Sequence, residues 1–506
     1  MKPTKDLFDL IKSLTKTEKA YFKKYSCLHV RGEQNKYILL FDAIEKQKIY
    51  DEVELLRKFS GYDFVRQFSV AKNYLYHQIL NALRSYHHSI HSEVNELVYD
   101  AEILFEKELF NQSFKALNKA KQIAKENHLH GELIRIYQNW EWNFARNKHD
   151  MNWMKNVMQE EGEQLNLLQN QKTYRELFFK FSDYVTSLGA IRDRKQLKPL
   201  EKIIHNKAFS NISFAKTINA KIGFLECHQL YHLIKGENKE SLRFTSELIK
   251  FQELFPAKIK HNPISYITSL HNALTVCIIA SQYKEMPIFL SKLERLSSEI
   301  KLLPHKASWF YVYHDGLLHY YNLTGRFVSA IEKIPSILHE LESSYFMLKD
   351  WDKTSLFSDI AFSYFGVEDF KKCIHWLNRI RDKFPASTPP DYESFFRLFY
   401  LLVHYEAGNF NLLPYLIQSA YRFLLKKQQL YKFETIMIHF FRNELPKTNT
   451  KKEIIIAFHK LNVKIIPLAK DAFEKNAFIY FNYISWLESK ITNRPFAEVV
   501  REKANK

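Results

Sequence analysis

Apolar positions along this chain recur at helical spacing behind a repeated turn. A short segment carrying an aromatic residue or Asn is followed by apolar or small residues three, seven and ten places later, and the phrase returns roughly every 43 residues. Gly366-Val367-Glu368-Asp369-Phe370 leads to Cys373, Leu377 and Ile380; Gly325-Arg326-Phe327 leads to Ala330, Ile334 and Ile337. Gly408-Asn409-Phe410 leads to Leu413, Ile417 and Ala420, and Ser281-Gln282-Tyr283 to Met286, Leu290 and Leu293. Gly236-Glu237-Asn238 leads to Ser241 and Leu248, and Leu109-Phe110 to Ser113, Leu117 and Ala120. These offsets keep one helix face turned inward. A second apolar helix precedes each anchor, with Leu104, His232, Cys277, Tyr321, Tyr364 and His404 six residues upstream. The gap between Phe110 and Asn238 divides into three ordinary periods if fainter copies open near Met151 and Arg194. Met154, Met158 and Leu165 form the first faint stripe, and Leu197 and Ile204 part of the second. Lys451 opens a ninth unit through Ile454, Phe458 and Leu461. A period of this length predicts a stack of helical pairs, almost wholly helical and elongated.

The first 92 residues follow another pattern. Thr15-Lys16-Thr17-Glu18 has capping-box spacing and starts a helix through Tyr25. Asn35 opens a second helix through Lys46 and Asp51 a third, while a longer one runs from about Asp63 to Tyr86 with Ala71, Leu75, Ile79, Ala82 and Tyr86 inside. The segment reads as a helical N-terminal domain that also covers the end of the stack, since terminal repeats need a polar outer face. At the other end, Pro495 starts a last helix whose Arg501, Glu502 and Lys503 suit a solvated cap.

The turn phrase, the large residue six places before it and the small residue three places after it resemble the tetratricopeptide repeat over roughly residues 94 to 506. Pro256 and Pro385 fit that family's proline after the second helix. The period exceeds the family's usual ~34 residues, so the helices are lengthened, and a HEAT-like repeat fits the same period. The resemblance implies an all-α fold: a right-handed α-solenoid of about nine helical hairpins over residues 93–506, with a helical N-terminal domain over 1–92. It also implies a concave groove lined by first helices, in which Glu226, His271, Asp315 and His319 face a partner. Asp315 and His319, four apart on one helix, form a polar pair there or an ordinary surface hydrogen bond.

Composition agrees with long helices, since 11 Gly and 14 Pro in 506 residues leave few breakers. Gly189, Gly236, Gly325, Gly366 and Gly408 fall at inter-helix turns, where a left-handed residue is wanted. With 46% hydrophobic residues the chain buries a continuous core. The start, Met1-Lys2-Pro3-Thr4-Lys5-Asp6, lacks the apolar run of a signal peptide, and the longest apolar stretches are too short for a membrane span. A cytoplasmic protein is expected, with no membrane insertion.

Catalytic motifs are missing. The closest glycines, Gly316 and Gly325, are too far apart for a phosphate-binding loop, and HExxH and GxSxG are absent. Cys27, Cys227, Cys277 and Cys373 are scattered, with no CxxC. Cys373 takes the small position held elsewhere by Ser113, Ser241 and Ala330; Cys277, His232 and His404 take the large one held by Tyr321 and Tyr364. Packing explains all four. His87, His88 and His91 approach a metal pattern, but no third ligand is identifiable and a solvated helix end explains them; adjacent Cys227 and His228 point apart on a helix. No enzyme, no small-molecule cofactor and no metal are expected.

The net charge of +18 raises nucleic acid as a partner. The charge is +6 over residues 1–90, zero over 91–200, +4 over 201–350 and +8 over 351–506, so only the ends are clearly basic. Lys outnumbers Arg 55 to 19, whereas phosphate and guanine recognition favours Arg. Lys426-Lys427 and Lys451-Lys452 are merely pairs. The leading expectation is a scaffold or adaptor binding a peptide or partner protein along a solenoid groove. The alternative is a nucleic-acid-binding repeat protein using its basic ends.

Overall fold

The computed structural model describes residues 5–28, 36–87, 89–138, 151–188, 194–300, 303–343, 348–381, 384, 388, 390–471 and 474–505. All regular structure among them is helical. The chain forms two compact units, Met1–Asn166 and Leu167–Lys506.

The first unit holds α1 (Asp6–Ser13), α2 (Lys16–Leu28), α3 (Lys36–Lys46), α4 (Glu52–Lys58), α5 (Phe68–Tyr86), α6 (Ile90–Glu106), α7 (Phe110–Glu126) and α8 (His130–Ile136). Thr15 starts α2 as its spacing predicts: Glu18 N–H donates to Thr15 Oγ1 at 3.2 Å and Thr15 N–H to the Glu18 carboxylate at 2.6 Å. Asp51 caps α4 by accepting from Glu54 N–H at 3.0 Å. Asn35 lies outside the described residues. Ala71, Leu75, Ile79 and Ala82 are buried along α5, but Tyr86 is 37% exposed because the chain leaves the core at the helix end. Two cores result: one from Leu7 to Ala82, the other from Val94 to Val157.

α9 (Met151–Leu188) is a single helix of 38 residues. Of the two faint copies, the second opens at Arg194 with a helical turn, Arg194–Leu197, and buries Ile204, whereas the first falls within α9. No turn interrupts it, and Met158 and Leu165 are 53% and 48% exposed, so the proposed inward stripe does not face a core. Gly189 lies outside the described residues.

The second unit continues with α10 (Lys198–Ile204), α11 (Ile218–Lys235), α12 (Asn238–Glu253), α13 (Pro256–His261), α14 (Ile264–Ile279), α15 (Met286–Leu296), α16 (Leu303–Leu323) and α17 (Phe327–Ser343). After these come α18 (Asp350–Gly366), α19 (Phe370–Arg381), α20 (Pro390–Glu406), α21 (Leu413–Lys426), α22 (Lys432–His439), α23 (Lys451–Lys470), α24 (Tyr483–Thr492) and α25 (Phe496–Asn505). Helices pack as consecutive hairpins, α11 on α12, α14 on α15, α16 on α17, α18 on α19 and α20 on α21, while α16 also packs on α14 and α18. Pro256 opens α13; Pro385 lies outside the described residues.

The repeated phrase is a repeated turn. The residue two places before every anchor, namely Glu108, Gly236, Ser281, Gly325, Glu368 and Gly408, has positive φ. The next amide then bonds back to the carbonyl six residues before the anchor, as in Leu109 to Leu104 at 2.9 Å, Arg326 to Tyr321 at 2.8 Å and Asn409 to His404 at 3.0 Å. This left-handed C-cap satisfies carbonyls that the ending helix leaves unpaired. Gly366 was expected to supply such a residue and does not: Glu368 takes the left-handed position, and Gly366 lies against the Phe327 ring, where a Cβ would come within 2.1 Å. Three places after their anchors, Ser113, Ser241, Ala330 and Cys373 are all fully buried. Ser113 Oγ donates to the Ala101 carbonyl at 2.7 Å and Ser241 Oγ to that of Gln229 at 3.0 Å, so the position lies against the backbone of the paired helix.

The last helix is solvated on one side, where Arg501 and Glu502 are exposed, and buries Phe496, Val499 and Val500 on the other. α25 packs back onto α16, and Arg501 donates to the Gly325 carbonyl at 3.1 Å. Phe496 lies 5.7 Å from Phe327 and 5.4 Å from Phe365. The backbone of α25 comes so close to Gly325 that a Cβ there would sit 2.7 Å from the Ala497 carbonyl oxygen.

Candidate functional site

The four residues expected in the groove occupy corresponding places on first helices: Glu226 on α11, His271 on α14, and Asp315 with His319 on α16. Three of them come together and Glu226 does not join them. Glu226 is half-buried, with no hydrogen bond or ion pair to a described residue, and burial pushes its carboxyl up to about 7. His271 is half-buried, its ring set edge-on to Tyr311 at 5.7 Å, and burial lowers its pKa.

Asp315 is 6% exposed, which corrects the expectation of an open groove position. Its carboxylate accepts from Ser355 Oγ of α18 at 2.8 Å and lies 3.5 Å from His319 Nδ1. His319 Nδ1 is closer to Asp359 Oδ2, at 2.8 Å, and contacts the Asp315 main-chain oxygen at 3.1 Å. Asp359, on α18, is 1% exposed. Burial alone would suppress every charge here. Against that, the Asp359 and Asp315 carboxylates hold His319 well above its ordinary value, and His319 holds Asp315 below its own. Asp359 is pushed up to about 7 by burial, against the pull of His319 and with the push of Asp315. Tyr392 of α20, paired with the Ser358 hydroxyl, extends the polar line.

Sequence reasoning found the Asp315–His319 pair from its spacing and missed Asp359, Ser355 and Tyr311. Asp359 stands one period beyond Asp315 and one residue off the position shared by Glu226, His271 and Asp315. Reading that position into the next hairpin reaches Ser358-Asp359, the available signal.

The reactive-looking residues elsewhere are committed. Cys227, Cys277 and Cys373 are fully buried, and His404 accepts from Asn409 at 3.0 Å. His232 is not simply packed, since it pairs with Glu237 of its own turn at 2.6 Å. His87 pairs with Glu18 and His91 with Glu132, each at 2.6 Å, so the two rings serve separate carboxylates; His88 lies outside the described residues.

A second feature was not anticipated. Between α21 and the start of α23 lies an open groove of about 750 Å³. Tyr405, Phe410, Ile417, Tyr421, Phe441 and Ile454 supply apolar walls, and Arg422 and Arg442 are exposed at it. Neither arginine forms an ion pair with a described residue; Arg442 lies 5.9 Å over the Tyr421 ring. A π-helical turn, Phe440–Glu444, ends α22 beside the groove and turns Phe440 and Phe441 into the core while Arg442 faces out. Lys426, Lys427, Lys451 and Lys452 are exposed on the adjoining helix ends.

Comparison of the chain with protein-family models, with curated proteins and with solved structures gives no match in any of the three. No helix among the described residues is long and apolar enough to cross a membrane.

Proposed function

We propose that this chain is a non-catalytic interaction scaffold, a tetratricopeptide-like α-solenoid that binds a peptide or partner protein. The observation that supports the reading is the groove between α21 and α23, where aromatic and aliphatic walls adjoin two exposed arginines that form no ion pair with a described residue. Phe410, on the groove wall, is 61% exposed. Apolar surface of this kind rimmed by charge marks interaction sites, and Tyr and Arg dominate binding energy at them. The groove lies on the second-helix side of the hairpins, so the partner docks there and not along the line of Glu226, His271 and Asp315.

Partner capture by the full chain, with and without nuclease and at low and high salt, tests this against nucleic-acid binding. Arg422→Glu with Arg442→Glu abolishes capture of protein while leaving the melting temperature unchanged. Retention that disappears with nuclease, falls steeply with salt and responds to Lys426, Lys427, Lys451 and Lys452 instead overturns the scaffold reading.

A further inference from the structure

We propose that Asp315, His319 and Asp359 form a binding site for a first-row divalent cation of the zinc class, held between α16 and α18. One ligand atom from each residue, the imidazole nitrogen and one carboxylate oxygen from each aspartate, lies within 4.8 Å of the other two. His319 Nδ1 lies 2.8 Å from Asp359 Oδ2 and 3.5 Å from Asp315 Oδ2, close to the roughly 3–4 Å between ligands of one ion whose metal–N and metal–O bonds are about 2.0–2.2 Å long.

The second observation is a shortage of protons. Asp359 is 1% exposed, yet its Oδ2 receives no aligned hydrogen bond. His319 Nδ1 is only 2.8 Å away, but the same nitrogen hydrogen-bonds the Asp315 main-chain oxygen at 3.1 Å and lies 3.5 Å from Asp315 Oδ2. One N–H cannot serve three acceptors. A buried carboxylate oxygen without an aligned donor is destabilising, and a cation at this point satisfies all three groups at once. Two carboxylates with a neutral imidazole also balance a charge of +2.

The surroundings orient the ligands. Ser355 donates to Asp315 Oδ1 at 2.8 Å, leaving Oδ2 turned toward His319. Asn322 Nδ2 of α16 donates to the Asp359 main-chain oxygen at 3.0 Å, which fixes the α18 backbone against α16 and leaves the Asp359 carboxylate facing His319. Such outer partners set ligand direction in metal sites. A mixed nitrogen and oxygen set suits zinc and its first-row neighbours, whereas magnesium and calcium prefer oxygen alone. Binding displaces the imidazolium proton to solvent and ties two neighbouring hairpins together, so the ion acts as a structural clamp.

The test uses the full chain, stripped with a chelator and titrated with Zn²⁺ and, separately, Mg²⁺, with calorimetry and melting temperature as readouts. One equivalent of Zn²⁺ binds, raises the melting temperature and releases protons, and Mg²⁺ does not compete. Asp359→Asn and Asp315→Asn each remove that equivalent with helicity retained, Ser355→Ala weakens it about 10- to 100-fold, and His87→Ala with His91→Ala leaves it intact. Absence of saturable one-equivalent binding, or binding that survives both aspartate changes, overturns the site. If the aspartate variants do not fold, Co²⁺ uptake by the unaltered chain decides: a visible spectrum of nitrogen and oxygen ligands supports the site, and a thiolate charge-transfer band or no stoichiometric uptake refutes it.

Discussion

The Asp315–His319–Asp359 cluster and the groove beside α21 depart from apolar-inside, polar-outside packing in opposite senses. The first buries ionisable groups between two helices of one stack; the second leaves aromatic rings and arginines in solvent. Both belong to the second unit, whose core is otherwise continuous from Ile249 to Val500. The contrast separates two kinds of dependence. Charges in the cluster are held by each other, so loss of one is felt by the fold, whereas the groove arginines form no ion pair with a described residue and their loss is felt chiefly by what binds there.

That contrast is easiest to break where it is strongest. Asp315→Ala leaves buried groups without their partner and lowers unfolding free energy by about 3–5 kcal/mol. Arg422→Ala stays within about 0.5 kcal/mol of the parent in the same denaturant titration. Equal effects from the two would show that the cluster is solvated and the comparison empty.

Glu226 sharpens the boundary between the two cases, being buried enough to be perturbed but unpaired. Its folded pKa, about 7, lies above its ordinary 4.5. Between those values the folded chain binds more protons than the unfolded one, so stability falls as pH rises through the window and levels off above it. Glu226→Gln removes that fall, making the variant more stable by about 1–3 kcal/mol near pH 8 and equal to the parent near pH 4. Parallel pH–stability curves for the two proteins would refute this.

The smallest effect is expected at Cys373. Ser113 and Ser241 hold the same position and donate to the paired helix, so Cys373→Ser finds a ready acceptor and costs under about 1 kcal/mol. Partner capture is unchanged. Loss of capture with unaltered stability would assign the thiol to function instead of packing.

The hairpins were legible because their signal is local. A left-handed residue, a back-bonded amide and an apolar stripe all fall within about fifteen residues, and all six clear anchors open helices in the structure at Phe110, Asn238, Tyr283, Phe327, Phe370 and Phe410. Gly366 misled because a left-handed φ does not require glycine, and Glu368 accepts it. The first faint copy, at Met151, misled for another reason: weak apolar spacing continues through α9 without any residue that stops a helix. Of the cluster, the pair on α16 was readable from its spacing of four. Asp359 was not, because its meeting with His319 depends on how far α18 is rotated against α16. The groove depends on the π-helical turn after α22, which apolar periodicity does not encode.

The return of α25 to the Gly325 turn has a consequence for the order in which the chain is made. Arg501 leaves the ribosome 176 residues after the carbonyl it binds. At about 5–20 residues per second, the interval is roughly 10–35 s. Until α25 is made, Phe327 and Phe365 lack the ring of Phe496 that later covers them. The packing around the Gly325 turn therefore waits on the synthesis of α25.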